Sequence, residues 1–310
     1  MARTAAVPTP QPALFRVMPW VLLGLLPLIG GAGSFLAAQI AAKSFSPLVV
    51  TWLRMATALP FLGVWAFVHR RQFLLGARAW AGLVGLGLLG AVLYNLTLVE
   101  GVKLAPISDA GLLTPIEAPV QVVLSWLIVR EIPSLRERYG LIVSSAGLFL
   151  ILGVAAVGHF SALRLAGDGL LIASMVAWPL YVVLGRRAAL DGIPPLVAIT
   201  TVVMTGFVAL APFAVPTLIH GGFRAPSSVW AAVLYLGIIV SVVNWSLQYW
   251  AVGQVGAHAS APFANLVPVW TLAVDSPLTG EWPSPWQVAG TALVVAGILW
   301  GRVAGRWGRG

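Results

Sequence analysis

The sequence predicts an all-α polytopic membrane protein with ten transmembrane helices, built from two inverted five-helix repeats. Three observations predict it: an apolar excess too large for a soluble body, ten apolar stretches of bilayer length, and a near-constant offset between the two halves. Of the 310 residues, 59 % are hydrophobic and only 9 % charged, with a mean hydropathy of +0.94. An ordinary soluble domain carries roughly 25 % charged residues. There are no cysteines, which excludes a disulfide framework, a thiolate metal site and a cysteine nucleophile. The formal charge of +9 would suggest nucleic acid only if Lys and Arg clustered on one face. Here they stand singly and in pairs between apolar runs, the pattern that orients membrane proteins.

A bilayer core about 30 Å thick requires about 20 apolar residues per helix. Residues 1–19 form a polar, proline-bearing tail (Arg3, Pro8, Pro10, Pro12, Arg16) ahead of the first span. The first repeat, 20–158, holds spans near 20–42, 47–68, 79–99, 107–129 and 139–158; the second, 159–310, holds spans near 168–185, 193–219, 229–252, 255–274 and 284–301 and a short C-terminal tail. The first apolar run outlasts the h-region of a cleavable signal, so it reads as a retained span. With the N-terminus inside, 13 Lys and Arg fall on the cytoplasmic side and 4 on the other, with Arg54 alone inside a span. Both termini are therefore expected in the cytoplasm.

The halves match at an offset of 149 (Asn95 with Asn244, Ala110 with Ala259, Pro119 with Pro268) and then of 150 (Glu131 with Glu281, Pro133 with Pro283, Gly140 with Gly290, Gly147 with Gly297). Five spans per copy is an odd number, so the copies insert with opposite topology. The charges agree: Arg130, Arg136 and Arg138 follow span 4, whereas the loop after span 9 has no Lys or Arg. Inverted repeats are a recurrent plan for carriers, because two opposed copies can exchange inward-open and outward-open states around a midplane site.

The segment Pro47-Leu-Val-Val-Thr-Trp-Leu-Arg54 and the stretches Pro119 to Gly147 and Pro268 to Gly297, each with Pro, an apolar run, Glu and a Gly-spaced helix, resemble the drug/metabolite transporter superfamily in its ten-helix EamA-type exporter branch. Within that branch the sequence looks most like the YddG-type exporters of aromatic and other amino acids. In the second copy of the helix 2 pattern, Val202 stands where Arg54 stands in the first, which suggests a one-sided role for Arg54. The resemblance implies a bacterial inner-membrane exporter, with the substrate path lined by helices 1, 3, 4, 6, 8 and 9, and with helices 5 and 10 holding the halves together.

Polar residues inside spans single out the candidate site. Arg54 costs about 2.5–3.5 kcal/mol at a helix centre on insertion scales and needs a partner. Glu100 and Glu117 are the candidates, in a structural ion pair favoured over direct substrate contact. Tyr94, Asn95, Trp178, Tyr181, Asn244, Trp245, Gln248, Tyr249 and Trp270 are the candidate cavity wall, because amides in lipid must bond across helices or line a wet cavity. Asp109, His258 and Glu117 are coupling or gating candidates, through which a proton could act as coupling ion; a helix-terminal acid and a hydrogen-bonded interfacial His are the blander readings of the first two. Gly297, Gly301 and Gly305 form a small-residue packing face.

An aromatic wall, amides and a single Arg suit a zwitterionic amino acid. A phosphorylated substrate would need several midplane cations; a hydrophobic cationic drug remains the alternative. No Gly-x-Ser-x-Gly elbow or His-Glu-x-x-His helix occurs, so no enzyme, cofactor or metal site is expected. The expected partners are the solute and membrane lipid, in a monomer or weak homo-oligomer.

Overall fold

In lipid a chain must satisfy its own backbone, and helices do so locally. In the computed structural model, which describes residues 13–104, 113, 116–152, 162–279 and 282–303, the regular structure is helical throughout the described residues. The first half forms α1 (Ala13–Pro27), α2 (Gly33–Ala42), α3 (Pro47–Val68), α4 (Ala77–Gly87), α5 (Tyr94–Leu104), α6 (Glu117–Leu124) and α7 (Leu135–Leu152). The second forms α8 (Ala162–Leu190), α9 (Pro195–Gly221), α10 (Ser227–Leu234), α11 (Trp245–Val255), α12 (Leu266–Thr279) and α13 (Pro285–Val303). Wide π-helical turns at Leu28–Ala32, Leu88–Leu93 and Tyr235–Asn244 join α1 to α2, α4 to α5 and α10 to α11, and a fourth, Ser125–Val129, extends α6.

Among the described residues, six helical stretches are long and apolar enough to cross a bilayer: Val17–Ala42, Pro47–Val68, Ala77–Leu98, Arg164–Leu190, Pro195–Gly221 and Ser227–Val255. The chain is a multi-pass membrane protein. The expected fourth and fifth spans run into residues 105–112, 114–115 and 153–161, outside the described residues, and Glu117–Val129 and Pro285–Gly301 are shorter apolar helices. Large apolar side chains point outward along the bundle, among them Val64, Phe67 and Val68 of α3, Val208 and Phe213 of α9, and Trp286 and Trp300 of α13. A monomer in water would not tolerate so much exposed apolar surface; facing acyl chains, it costs nothing.

Helix starts are written in the sequence. Ser46 caps α3, accepting from the Val49 N–H, and Pro47 occupies the first turn, where no N–H is needed. The repeated Pro-Ser strings begin α7 and α13 with reciprocal capping boxes. The Ser134 N–H donates to Glu137 Oε2 at 2.6 Å and the Glu137 N–H returns to Ser134 Oγ; Ser284 and Gln287 do the same at 2.8 and 3.3 Å.

Contacts between the halves recur with the halves exchanged. α3 packs on the turn Tyr235–Asn244 as α9 packs on Leu88–Leu93, and α5 and α6 lie on α8 as α11 lies on α1 and α12 on Leu28–Ala32. The richest contact joins α7 to α13, which run antiparallel across two glycine pairs, Gly140 with Gly297 and Gly147 with Gly290. A Cβ at Gly297 would lie 2.6 Å from the Gly140 carbonyl oxygen, and one at Gly147 would lie 2.6 Å from that of Gly290. Gly297 and Gly301 of the small-residue face therefore pack within the chain.

Gly297→Ala is expected to lower the thermal unfolding midpoint in detergent, with a loss of about 1–3 kcal/mol typical of overpacking. Gly85→Ala, in the interior of α4 with open space where its Cβ would go, should leave the midpoint unchanged or raise it. Equal midpoints for the two variants would contradict this account of α7 against α13.

Candidate functional site

The π turns decide which side chains meet. In a π turn the backbone bond runs from i to i+5, which strands a carbonyl and rotates the following residues off the 3.6 register. Polar side chains answer the stranded carbonyls: Asn95 Nδ2 donates to Gly90 O at 3.2 Å and Ala91 O at 3.0 Å, and Ser241 Oγ donates to Leu236 O at 3.0 Å. Glycines in these turns admit a facing side chain, Gly30 the amide of Asn244, Gly90 the ring of Tyr181 and Gly237 the hydroxyl of Thr57; a Cβ at any of them would collide.

Arg54 lies two turns into α3. Its Nε donates to Ser241 Oγ at 2.7 Å, and its guanidinium lies 4.4 Å from the centroid of the Trp245 ring. Its partners are thus a hydroxyl and an aromatic face, not the carboxylates that spacing alone put forward. Glu100 is exposed on α5. Glu117, half-buried at the start of α6, forms no ion pair with Arg54 and has no hydrogen-bond partner among the described residues. Tyr94 lies within electrostatic range of both Arg54 and Glu117, and Tyr181 within range of Arg54. The Trp178 ring sits between them, its centroid 5.0 Å from that of Tyr94 and 5.3 Å from that of Tyr181.

Six of the nine expected wall residues therefore converge: Tyr94, Trp178 and Tyr181 as an aromatic stack, and Trp245, Gln248 and Tyr249 on α11 beside it. Tyr181, Gln248 and Tyr249 line a narrow cavity of about 20 Å³ with Val182, Gly185, Arg186, Trp245 and Val252, room for one water. The Tyr249 hydroxyl and Asn244 Oδ1 are buried without a partner among the described residues. The other three sit differently. Asn95 turns back onto its own helix, Asn244 packs on Gly30 without reaching Asn95, and Trp270 ties α12 to α1 through Nε1 and Gly24 O at 2.9 Å. Asp109 lies outside the described residues.

A second constellation, not foreseen from the sequence, surrounds Glu131. Arg130 takes a left-handed conformation (φ 60°) at the end of the Ser125–Val129 turn, and the chain then presents the Glu131 carboxylate to four donors. These are Arg186 Nε at 2.7 Å, Ser125 Oγ at 3.1 Å, the Ala257 N–H at 2.9 Å and His258 Nδ1 at 2.9 Å. Arg186 also donates to Gly253 O, and His258 Nε2 lies 3.5 Å from Glu137. With a carboxylate facing each ring nitrogen, His258 serves both only as imidazolium. Gly256 has φ +97°, and a Cβ there would lie 2.9 Å from Glu131 Oε2, so this position takes glycine for both reasons. Partial burial alone would push the Glu131 carboxyl up; the bonds from His258 and Arg186 and their positive charge hold it at about 2.

The sign follows from that depression: the carboxylate stabilises the fold above its ordinary value near 4.5 and the contribution is lost as pH falls toward 2. The thermal midpoint should accordingly drop between about pH 5 and about pH 3 by a larger margin in the unaltered protein than in Glu131→Gln. A parallel fall in both would remove Glu131 as the acid-sensitive group.

Comparison with known proteins follows the same outline. The model of the EamA-like transporter family matches the chain twice, over residues 18–153 and 165–301. An uncharacterized transporter of Archaeoglobus fulgidus is 28 % identical over 90 % of this chain and 95 % of its own. A protein of Streptantibioticus cattleyicolor named a probable terminal-alkyne amino-acid exporter is 27 % identical, covering 84 % of this chain and 83 % of its own. A Salmonella typhimurium protein named a probable amino-acid metabolite efflux pump is 22 % identical over 89 % and 92 %. A solved crystal structure superposes with a TM-score of 0.76 at 21 % identity, covering 95 % of this chain and 98 % of that one, a likeness of fold.

Proposed function

The chain belongs to the EamA-like transporter family of the drug/metabolite transporter superfamily, and we propose that it exports amino acids across the bacterial inner membrane by alternating access. In this reading ten spans form two inverted repeats, residues 20–158 and 159–310, with both termini in the cytoplasm. The exchanged contacts between the halves and the paired glycines of α7 and α13 support that symmetry.

One observation carries the substrate class: Arg54 is held by a hydroxyl and an aromatic face, and Glu117, which shares Tyr94 as a neighbour with it, is not paired to it. A carrier that needed them only as a structural tie would join them, because an unpaired charge in a span is costly. Left apart, with Tyr94 in range of both, they present a cation for a carboxylate and an acid for an ammonium. Trp178, Tyr181 and Trp245 supply apolar and aromatic walls for the side chain between them. The YddG-type preference for aromatic amino acids fits those rings. Arg54 would repel a hydrophobic cation, which counts against drug efflux, and the relatives named as exporters of amino acids or their metabolites lean the same way.

In proteoliposomes, aromatic amino acids should be transported and should compete with one another, whereas their amides, lacking the carboxylate, should compete poorly. Arg54→Met is expected to cost about tenfold to a hundredfold in apparent affinity for the amino acid, the loss of one or two charge-assisted hydrogen bonds, and to narrow the gap between acid and amide. Comparable loss for both ligands, or transport of quaternary amines in place of amino acids, would refute the zwitterion reading. Running the assay with and without a pH gradient tests proton coupling.

A further inference from the structure

The narrow cavity runs from Trp245, beneath Arg54, to Arg186, which donates to Glu131. It therefore lies between the proposed chamber and the end of the bundle that carries Arg130, Arg136, Arg138, Arg186 and Arg187. Glu131 sits where the first half could release the second. It belongs to the connection from α6 to α7, yet three of its four donors, Arg186, Ala257 and His258, come from the second half. Arg186 in turn holds the end of α11 through Gly253. One carboxylate thus ties the ends of α6, α8 and α11 together beside Arg186, which lines the cavity.

We propose that Glu131 is the latch of the Arg-rich, cytoplasmic gate: while it holds Arg186 and His258 the lane to the chamber is shut, and its release is the step that opens the carrier inward. The proposal rests on the reading of the chain as an alternating-access carrier. The charges of the clamp are not duplicated in the other half. Glu281 matches Glu131, but the position that matches His258 is Asp109, and those that match Arg186 are Leu36 and Ala37. A carboxylate paired with cations at one end and matched by acidic and apolar residues at the other makes the two gates unequal, and the protein rests with the latched end closed. Gly256 and the left-handed Arg130 supply the backbone shape that brings carboxylate and donors to one point.

The chain has no cysteine, so a single one reports accessibility directly. Val252→Cys places a thiol in the lane, and Arg224→Cys, exposed beyond α9, marks the opposite face. In oriented proteoliposomes a membrane-impermeant maleimide applied from the Arg-rich side should label Val252→Cys slowly. Adding Glu131→Gln should raise that rate by about tenfold or more, the shift that losing a charge-assisted bond gives an opening equilibrium, and adding His258→Gln should raise it less. An unchanged rate in either variant, or an equal rise from both faces, overturns the latch; where Glu131→Gln does not fold, His258→Gln decides alone. If labelling responds as expected while no amino acid is transported or alters it, the latch stands and the substrate reading falls. If amino acids are transported and labelling ignores both variants, the latch falls alone.

Discussion

The cost of a full positive charge within a membrane span organises the centre of this molecule. Arg54 cannot be left bare in hydrocarbon, and the protein meets that cost with a hydroxyl and an indole face. Both come from the second half while the arginine comes from the first. The interaction therefore joins the halves, and among the described residues it leaves most of the guanidinium donors without a hydrogen-bond acceptor. A bidentate carboxylate from the protein would have been the stronger partner. It would also have neutralised the group and closed the site to an anionic ligand.

The backbone around that charge is shaped to allow it. Ser241 reaches Arg54 because the chain from Tyr235 to Asn244 is wound as a π helix, and Ser241 meets the stranded Leu236 carbonyl as well. The same device recurs at Leu88–Leu93, where Asn95 caps the freed carbonyls and Gly90 admits Tyr181. A wide turn, a glycine facing a side chain of another helix and a polar cap occur together at both places, the facing group being the Tyr181 ring at Gly90 and the Thr57 hydroxyl at Gly237. They are features of close helix contact that ordinary α geometry would forbid.

Much of the fold was legible in the sequence because it rests on composition and on short-range rules. The apolar runs predicted helices where α3, α8 and α9 stand, and the Pro-Ser strings shared by the halves mark two capping boxes. The glycines at 140, 147, 290 and 297 were legible as a pattern, though their reciprocal pairing was not. That Tyr94, Trp178 and Tyr181 gather, with Trp245 on the same cavity as Tyr181, could be read from where aromatic residues cluster. The partners of Arg54 could not. Spacing and sign nominate Glu100 and Glu117 as counter-ions, but a π turn brings a serine and a tryptophan to Arg54 instead, and no 3.6-residue periodicity reveals a π turn. Glu131 escaped for the opposite reason. It sits in a loop, where an acidic residue reads as solvated, and only the fold brings Arg186, Ala257 and His258 to it from more than fifty residues away. A left-handed arginine before it and a glycine opposite it were the available signals, and the first is invisible in a sequence.

The two charged centres divide the labour of the molecule by how completely they are satisfied. At Glu131 the carboxylate meets four donors, the two cations face two carboxylates, and the bonds span several helix ends. At Arg54 and Glu117 the opposite holds: the guanidinium and the carboxyl group do not pair with each other, and a low-dielectric setting raises the strength of any electrostatic contact made there. On the proposed reading, a ligand bearing both complementary charges gains most by binding at the second centre, and nothing at the first. For solute binding to influence the proposed gate, the coupling has to pass along α8 and α11, which carry Tyr181 and Trp245 at one end of the narrow cavity and Arg186 and Gly253 at the other. Those helices already meet closely, since Gly185 leaves room for the ring of Tyr249. A small shift of either helix to accommodate a solute would move the donors of Glu131 by a similar amount, and hydrogen bonds of 2.7 to 2.9 Å weaken steeply over such distances.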